Sequence, residues 1–253
     1  VYFAFDWSAF ILDGFATVEL GSVRAAIAMS NALEAVYGDG MAYLDADRPK
    51  GPRLPNDPYL GQQWHLRNTS NTIADINAEP AWNNGFTGSG LTIGITEWGV
   101  QDNHSDLTNH NSAASQNSGT SSHGTSCAGV AAAVGNNNTM GVGLAYDAQW
   151  SEQLVGSSSQ TANAFQYRND LNDVKSNSWG PWDNGNLTYI SSTELNALAS
   201  SCQNGRGGLG EVFTWAAGNG GTGDRVEYDP YASTRYTIAV GAIGDQDRRA
   251  SYN

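Results

Sequence analysis

Three side chains in this sequence, a carboxylate, an imidazole and an amide, occupy positions from which they could serve one reaction. Glu97 closes the run Leu91-Thr92-Ile93-Gly94-Ile95-Thr96, so a buried strand would deliver its carboxylate to the rim of a sheet. His123 opens His123-Gly124-Thr125-Ser126-Cys127-Ala128-Gly129, the start of an Ala-rich stretch, and Asn219 follows the apolar run Val212 to Ala217 just before a Gly-Gly turn. Acyl transfer uses this set. An imidazole takes the nucleophile's proton, a carboxylate holds its tautomer and stabilises the imidazolium, and an amide donates to the developing oxyanion. Taken singly, each residue has an ordinary reading as a helix cap, strand end or turn residue.

To act together they need a scaffold that ends several strands at one edge. Short apolar runs (Leu91 to Thr96, Val212 to Ala217, Tyr236 to Val240) alternate with helical ones (Thr125 to Val134, Thr193 to Ser201). That pattern predicts an α/β fold, a parallel central sheet flanked by helices. In such sheets ligand sites gather beyond the carboxyl ends of the strands. Residues 103–122, rich in Asn, Ser and Thr without a sustained apolar period, read as a long exposed loop. The first 53 residues differ in character. Val23 to Val36 has apolar residues at helical spacing, Tyr37-Gly38-Asp39-Gly40 is a turn, and Met41 to Leu44 reads as a short strand. The prolines of Pro49-Lys50-Gly51-Pro52-Arg53-Leu54-Pro55 can continue neither a helix nor a central strand. The predicted organisation is a small N-terminal α/β piece with its linker over 1–53 and a larger α/β domain over 54–253.

Twenty-five acidic against twelve basic residues give a net charge of −13. This argues against nucleic acid and against an anionic membrane surface as partners. It suits bound cations, basic substrates or simple solubility. No apolar run approaches the roughly 18 residues of a membrane span, since Asp6 and Asp13 interrupt Val1 to Phe15. Val1 shows no basic leader or cleavage signature, which places any signal peptide outside these residues. The two cysteines, Cys127 and Cys202, leave a single bridge and two free thiols equally open. His65, His104 and His110 show no metal-ligand spacing and read as surface or packing residues.

The surroundings of the three residues resemble the subtilases, in particular the kexin and furin branch. The resemblance runs from Pro55 to Asn253. Asn56 to Leu66 (NDPYLGQQWHL) is similar to the beginning of the mature domain in that branch, Ser176-Asn177-Ser178-Trp179-Gly180-Pro181 to its SWGP segment, and Arg206-Gly207-Gly208-Leu209-Gly210 completes the match. It implies a subtilisin-like fold, serine endopeptidase activity on protein or peptide substrates, His123 as general base and Asn219 as oxyanion donor. It also implies export to a secreted or extracellular location. Residues 1–53 resemble, more loosely, a prosegment that blocks the site, with a processing point after Arg53. Two departures stand out. Glu97 occupies the place of the family's strand-end Asp, so its longer side chain must retract or shift to hold the imidazole. The family's nucleophile sits in a later Gly-Thr-Ser segment, and nothing between Asn219 and Asn253 supplies one, so the chain as given is expected to be inactive. Ser126 imitates that motif, yet it shares a helix start with His123. Cys127 reads as a small packing residue.

The same resemblance implies Ca2+, held by Asp57, Asp106, the Asn137 side chain and the carbonyls of Val134, Thr139 and Gly141. These are the oxygen donors that a hard cation requires; an ordinary Asn-rich turn is the alternative. A second site would use Asp183 and Asp224 but lacks its third acid, and its loop is one residue shorter than in the family. Asp183 and Asp229 match acids that line a pocket for the basic residue before the scissile bond. Trp98 and Thr120 replace the acids of the neighbouring subsite, so cleavage after a single basic residue, rather than a dibasic pair, is expected. The expected function is therefore a calcium-dependent serine endopeptidase. The alternative from another class is a non-catalytic binding or inhibitory protein on a degenerate subtilase fold. A glycosidase built on Glu97 finds no second acid at suitable spacing.

Overall fold

The computed structural model describes residues 54–69, 74–116 and 119–253, with residues 11–12, 15–16, 29 and 32 of the N-terminal region. The predicted turn at 37–40, the strand at 41–44, the processing point at Arg53 and all but two residues of the predicted helix lie outside them. The chain forms two compact units, Val1–Pro49 and Lys50–Asn253. In the first, β1 (Ile11–Leu12) pairs antiparallel with β2 (Phe15–Ala16).

In the second unit the elements follow as α1 (Ala78–Asn83), β3 (Thr92–Glu97), α2 (Ser122–Ala132), β4 (Gln149–Leu154), α3 (Ser158–Gln166), β5 (Val174–Asn177), α4 (Ser192–Gly208), β6 (Val212–Ala216) and β7 (Ile238–Val240). The strands form one sheet in the order β4-β3-β5-β6-β7, parallel throughout. Parallel neighbours require long crossovers, which helices supply, so the expected α/β architecture is what folds. Ile95 and Trp150 pack with Ala128 and Ala132 of α2 in one core. Phe213 and Trp215 pack with Phe165 of α3 and Leu198 of α4 in another. The helices start where their caps dictate. Ser157 with Gln160, and Ser191 with Glu194, form reciprocal capping boxes.

Two strands carry no apolar run. β4 (QWSEQL) buries Ser151, Glu152 and Gln153, and β5 (VKSN) buries Lys175 and Asn177. Residues 103–116 are irregular apart from a short 3-10 helix at Ser112–Ala114, but not simply exposed: Asp106, Leu107, Ala114 and Ser115 are buried. The physical reason is the free edge of β4. The Asn111 and Gln116 N–H groups donate to the Trp150 and Glu152 carbonyls (2.7 and 2.9 Å), and the Trp150 N–H donates to the Asn109 carbonyl (3.3 Å). The loop satisfies backbone groups that an open edge strand would leave unpaired. Within it the His110 ring stacks on Trp150 with centroids 4.2 Å apart, a packing histidine. Both cysteines are free thiols. No helix among the described residues is long and apolar enough to cross a membrane.

Candidate active site

Because β3, β5 and β6 run parallel in neighbouring positions, Glu97, Ser178 and the Ala216–Asn219 turn all emerge at one edge of the sheet. Glu97 is the last residue of β3 and is only 1% exposed. His123 lies in the first turn of α2, whose N-cap Ser121 accepts the Gly124 N–H at 3.3 Å. Gly124 makes the approach of helix to strand feasible: a Cβ there would collide with the Gly99 carbonyl and lie 3.0 Å from the Glu97 Cβ. The outcome is a bond of 3.0 Å between His123 Nδ1 and Glu97 Oε2. The longer acid therefore does reach the imidazole. Glu97 Oε1 accepts the Ser178 N–H at 3.2 Å and faces the Cys127 thiol at 3.9 Å. Burial, the largest influence, raises the Glu97 carboxyl above its ordinary range, opposed by His123 and by the Ser178 N–H. The His123 side chain is 55% exposed. One face of the ring is thus anchored on a buried anion while the rest is open to a reactant.

Asn219 is exposed, and its backbone N–H donates to Asp183 Oδ2 at 2.8 Å. The preceding Gly218 has φ +102°, and a Cβ there would meet Asp183 Oδ1 at 2.7 Å, so the turn needs glycine. Ser178, Trp179, Gly180, Pro181, Asp183, Asn219 and Asp229 belong to one cleft. The Asp229 carboxylate accepts the Tyr231 and Ala232 N–H groups at 2.7 and 3.2 Å. Burial pushes its carboxyl upward first, the two N–H groups oppose this, and the nearby charges of Asp183 and Asp224 add to the rise. Both acids expected for a basic side chain therefore meet in the cleft that holds the expected oxyanion donor. Ser178, whose N–H links this cleft to Glu97, was not singled out as a site residue; its place within the SWGP segment was the available signal.

Away from this rim, Asp57 and Asp106 are both buried beside the loop from Val134 to Gly141. Left-handed residues at Asn136, Asn138 and Met140 curl that loop. The Asn136 N–H donates to Asp57 Oδ2 at 2.8 Å, and Asn137 Nδ2 donates to Asp106 Oδ1 at 2.8 Å. Asn137 Oδ1 accepts the Thr139 N–H at 2.8 Å, while the Val134 N–H donates to the Asp106 carbonyl at 3.0 Å. Burial, and the neighbouring Asp57 charge, raise the Asp106 carboxyl; Asn137, His104 and the Gly141 N–H pull it down. Asp57 Oδ1 is buried without a hydrogen-bond donor. Two like charges and an orphaned carboxylate oxygen in one loop suit a bound cation.

Comparison with known proteins agrees with this geometry. Residues 88–253 match the subtilase family. Human neuroendocrine convertase 2 is 36% identical over 223 residues, covering 78% of this chain and 35% of that protein. The PC3-like endoprotease variant B of Hydra vulgaris is 35% identical over 230 residues, covering 81% and 32%. The chain thus spans about a third of the length of these relatives. Among solved structures, the serine protease of Aeromonas sobria superposes with a TM-score of 0.66 at 23% identity, over 85% of this chain and 44% of that one. Fervidolysin from Fervidobacterium pennivorans, a keratinolytic enzyme related to subtilisin, gives 0.57 at 20% identity, over 78% and 30%. Carrying a subtilisin-like sheet, a carboxylate-bound histidine at its rim and similarity to convertases over most of its length, the chain belongs to the subtilase family.

Proposed function

We propose that this chain forms the base-bearing part of an exported serine endopeptidase that cuts peptide bonds after a single basic residue. The observation that carries the reading is the 3.0 Å bond from His123 to a buried Glu97. In that arrangement His123 takes the proton of an attacking hydroxyl and returns it to the leaving amine. Glu97 fixes the ring's tautomer and stabilises the imidazolium. The Asn219 side chain donates to the oxyanion. Asp183 and Asp229 attract the cationic side chain before the scissile bond. Ser126 is not the nucleophile, since its hydroxyl is spent on the Ser122 carbonyl at 2.9 Å within α2. The attacking hydroxyl is that of a serine other than Ser126. Calcium, held by Asp57, Asp106, Asn137 and the carbonyls of Val134, Thr139 and Gly141, supplies structural charge neutralisation. Residues 1–53 act as a prosegment.

The test is labelling of the full-length protein with a serine-reactive fluorophosphonate, with hydrolysis of peptides carrying Arg, Lys or Leu before the cut. Labelling that disappears in His123→Ala, and Arg and Lys cleaved on the order of tenfold or more faster than Leu, support the reading. A full-length protein that binds basic peptides but never labels is a binder on a subtilase fold. Equal rates for the three peptides remove the acidic-pocket argument.

A further inference from the structure

The segments that carry the cleft acids also leave large aromatic side chains in water. Trp182, between the cleft residues Pro181 and Asp183, is 89% exposed, and Tyr189 is 85% exposed. Thr188, next to Tyr189, donates through its N–H and its hydroxyl to the Tyr228 carbonyl at 3.1 and 3.0 Å. Tyr228 in turn precedes Asp229. Each of the two acids thus has an exposed aromatic either adjacent in sequence or tied to its own turn. Trp98, directly after Glu97, whose carboxylate accepts the N–H of the cleft residue Ser178, is 52% exposed. It is followed by Gly99, where a Cβ would lie 3.0 Å from the Thr120 N. Exposed aromatics on the segments that carry the acids of a polar cleft mark a recognition surface more than a packing accident.

We infer that Trp98, Trp182 and Tyr189 form an aromatic rim that selects substrates whose basic residue is flanked by apolar or aromatic residues. This rests on the endopeptidase reading and specifies its substrate class. The occupant is an extended peptide. Its cation is fixed by charge complementarity with Asp183 and Asp229, and its flanking side chains then lie where the rim continues the cleft. Flat aromatic faces hold such side chains by area, at small conformational cost, because Trp and Tyr have few rotatable bonds.

The experiment uses the full-length protein and peptides with one Arg, each flanking position in turn being Ala, Phe, Leu, Glu or Lys. Phe or Leu at one or more flanks should raise kcat/KM on the order of tenfold over Ala, mainly through KM. Trp182→Ala and Tyr189→Ala should bring the Phe-flanked rate down toward the Ala-flanked one, while Arg remains preferred over Leu at the basic position. Equal rates for Ala and Phe flanks, a preference for Lys flanks, or a Phe preference that survives both substitutions would overturn the rim with the endopeptidase reading intact. If no peptide is cut, that reading fails by itself. Fluorescence anisotropy of the same labelled peptides then decides the rim: tighter binding of Phe-flanked peptides that is lost in Trp182→Ala supports it, and equal binding overturns it.

Discussion

At the scale of single residues, the decisive group is Glu97, a carboxylate held almost out of water to serve a histidine that is half in it. Burial raises its carboxyl above the unfolded value, more strongly than His123 and the Ser178 N–H lower it. For an acid raised in this way, the stabilising contribution is fully present below the unfolded value and lost as pH rises through the folded one. Keeping this side chain ionised therefore costs the fold stability. Glu97→Gln keeps the volume and an oxygen for the Ser178 N–H, but removes the charge. It should denature a few degrees higher than the parent near pH 8, with the difference vanishing toward pH 4, and hydrolyse peptides about 10⁴-fold more slowly. Thermal denaturation at the two pH values is the check; a gain of the same size at both would show that hydrogen bonding, not charge, sets the difference.

At the scale of elements, legibility followed the placement of apolar side chains. β6 and β7 were readable because their residues are mostly apolar, β3 because Ile93 and Ile95 alternate at strand spacing, and α2 because alanines line it. The Glu97, His123 and Asn219 positions were readable because each sits at the end of such an element or the start of the next. β4 and β5 were not, because they bury polar groups whose partners come from distant segments. Gln153 Nε2 donates to the Ala114 carbonyl at 3.0 Å, a contact no local pattern reveals. Lys175 is the extreme case. Its Nζ donates to the carbonyls of Ala164, Phe165 and Tyr167 at 2.8, 2.7 and 3.2 Å, closing the C-terminus of α3, and lies 3.3 Å from Glu211. A cation at that helix end also opposes the dipole's negative pole. Burial lowers Lys175 to about 8 and raises Glu211 to about 7, each partly restored by the other. Lys175→Met leaves α3 uncapped and Glu211 buried alone, at a cost of about 3–5 kcal/mol. In urea denaturation the loss should be largest near pH 8 and smaller near pH 5, where Glu211 is already protonated. A loss independent of pH would assign it to the cap alone.

At the scale of the molecule, the candidate cation loop joins segments far apart in the chain. The loop after α2 meets Asp57, near the start of the described domain, and Asp106, from the segment that covers the β4 edge. Further bonds fasten the same junction. The Tyr59 N–H donates to the Met140 carbonyl at 2.7 Å, and the Gln63 amide both donates to the Val142 carbonyl and accepts the Val142 N–H, at 2.8 and 2.9 Å. Without a cation, two buried carboxylates face each other across this junction; burial chiefly, and the Asp57 charge in addition, raise the Asp106 carboxyl. Calcium bound at the proposed site would turn their repulsion into a cross-link between the domain's first segment and the segment beside its sheet edge. A ligand that binds only the folded state at a hundredfold excess over its Kd stabilises by about 2.7 kcal/mol. The full-length protein should therefore melt several degrees lower in EDTA than in millimolar calcium, and added magnesium, which demands a smaller and stricter shell, should restore little of the loss. Asp106→Asn should behave in the opposite sense on both counts: more stable than the parent in EDTA, because the repulsion is gone, and almost indifferent to calcium. A variant that remained as calcium-dependent as the parent would move the cation to another set of ligands and leave this loop as an Asn-rich turn.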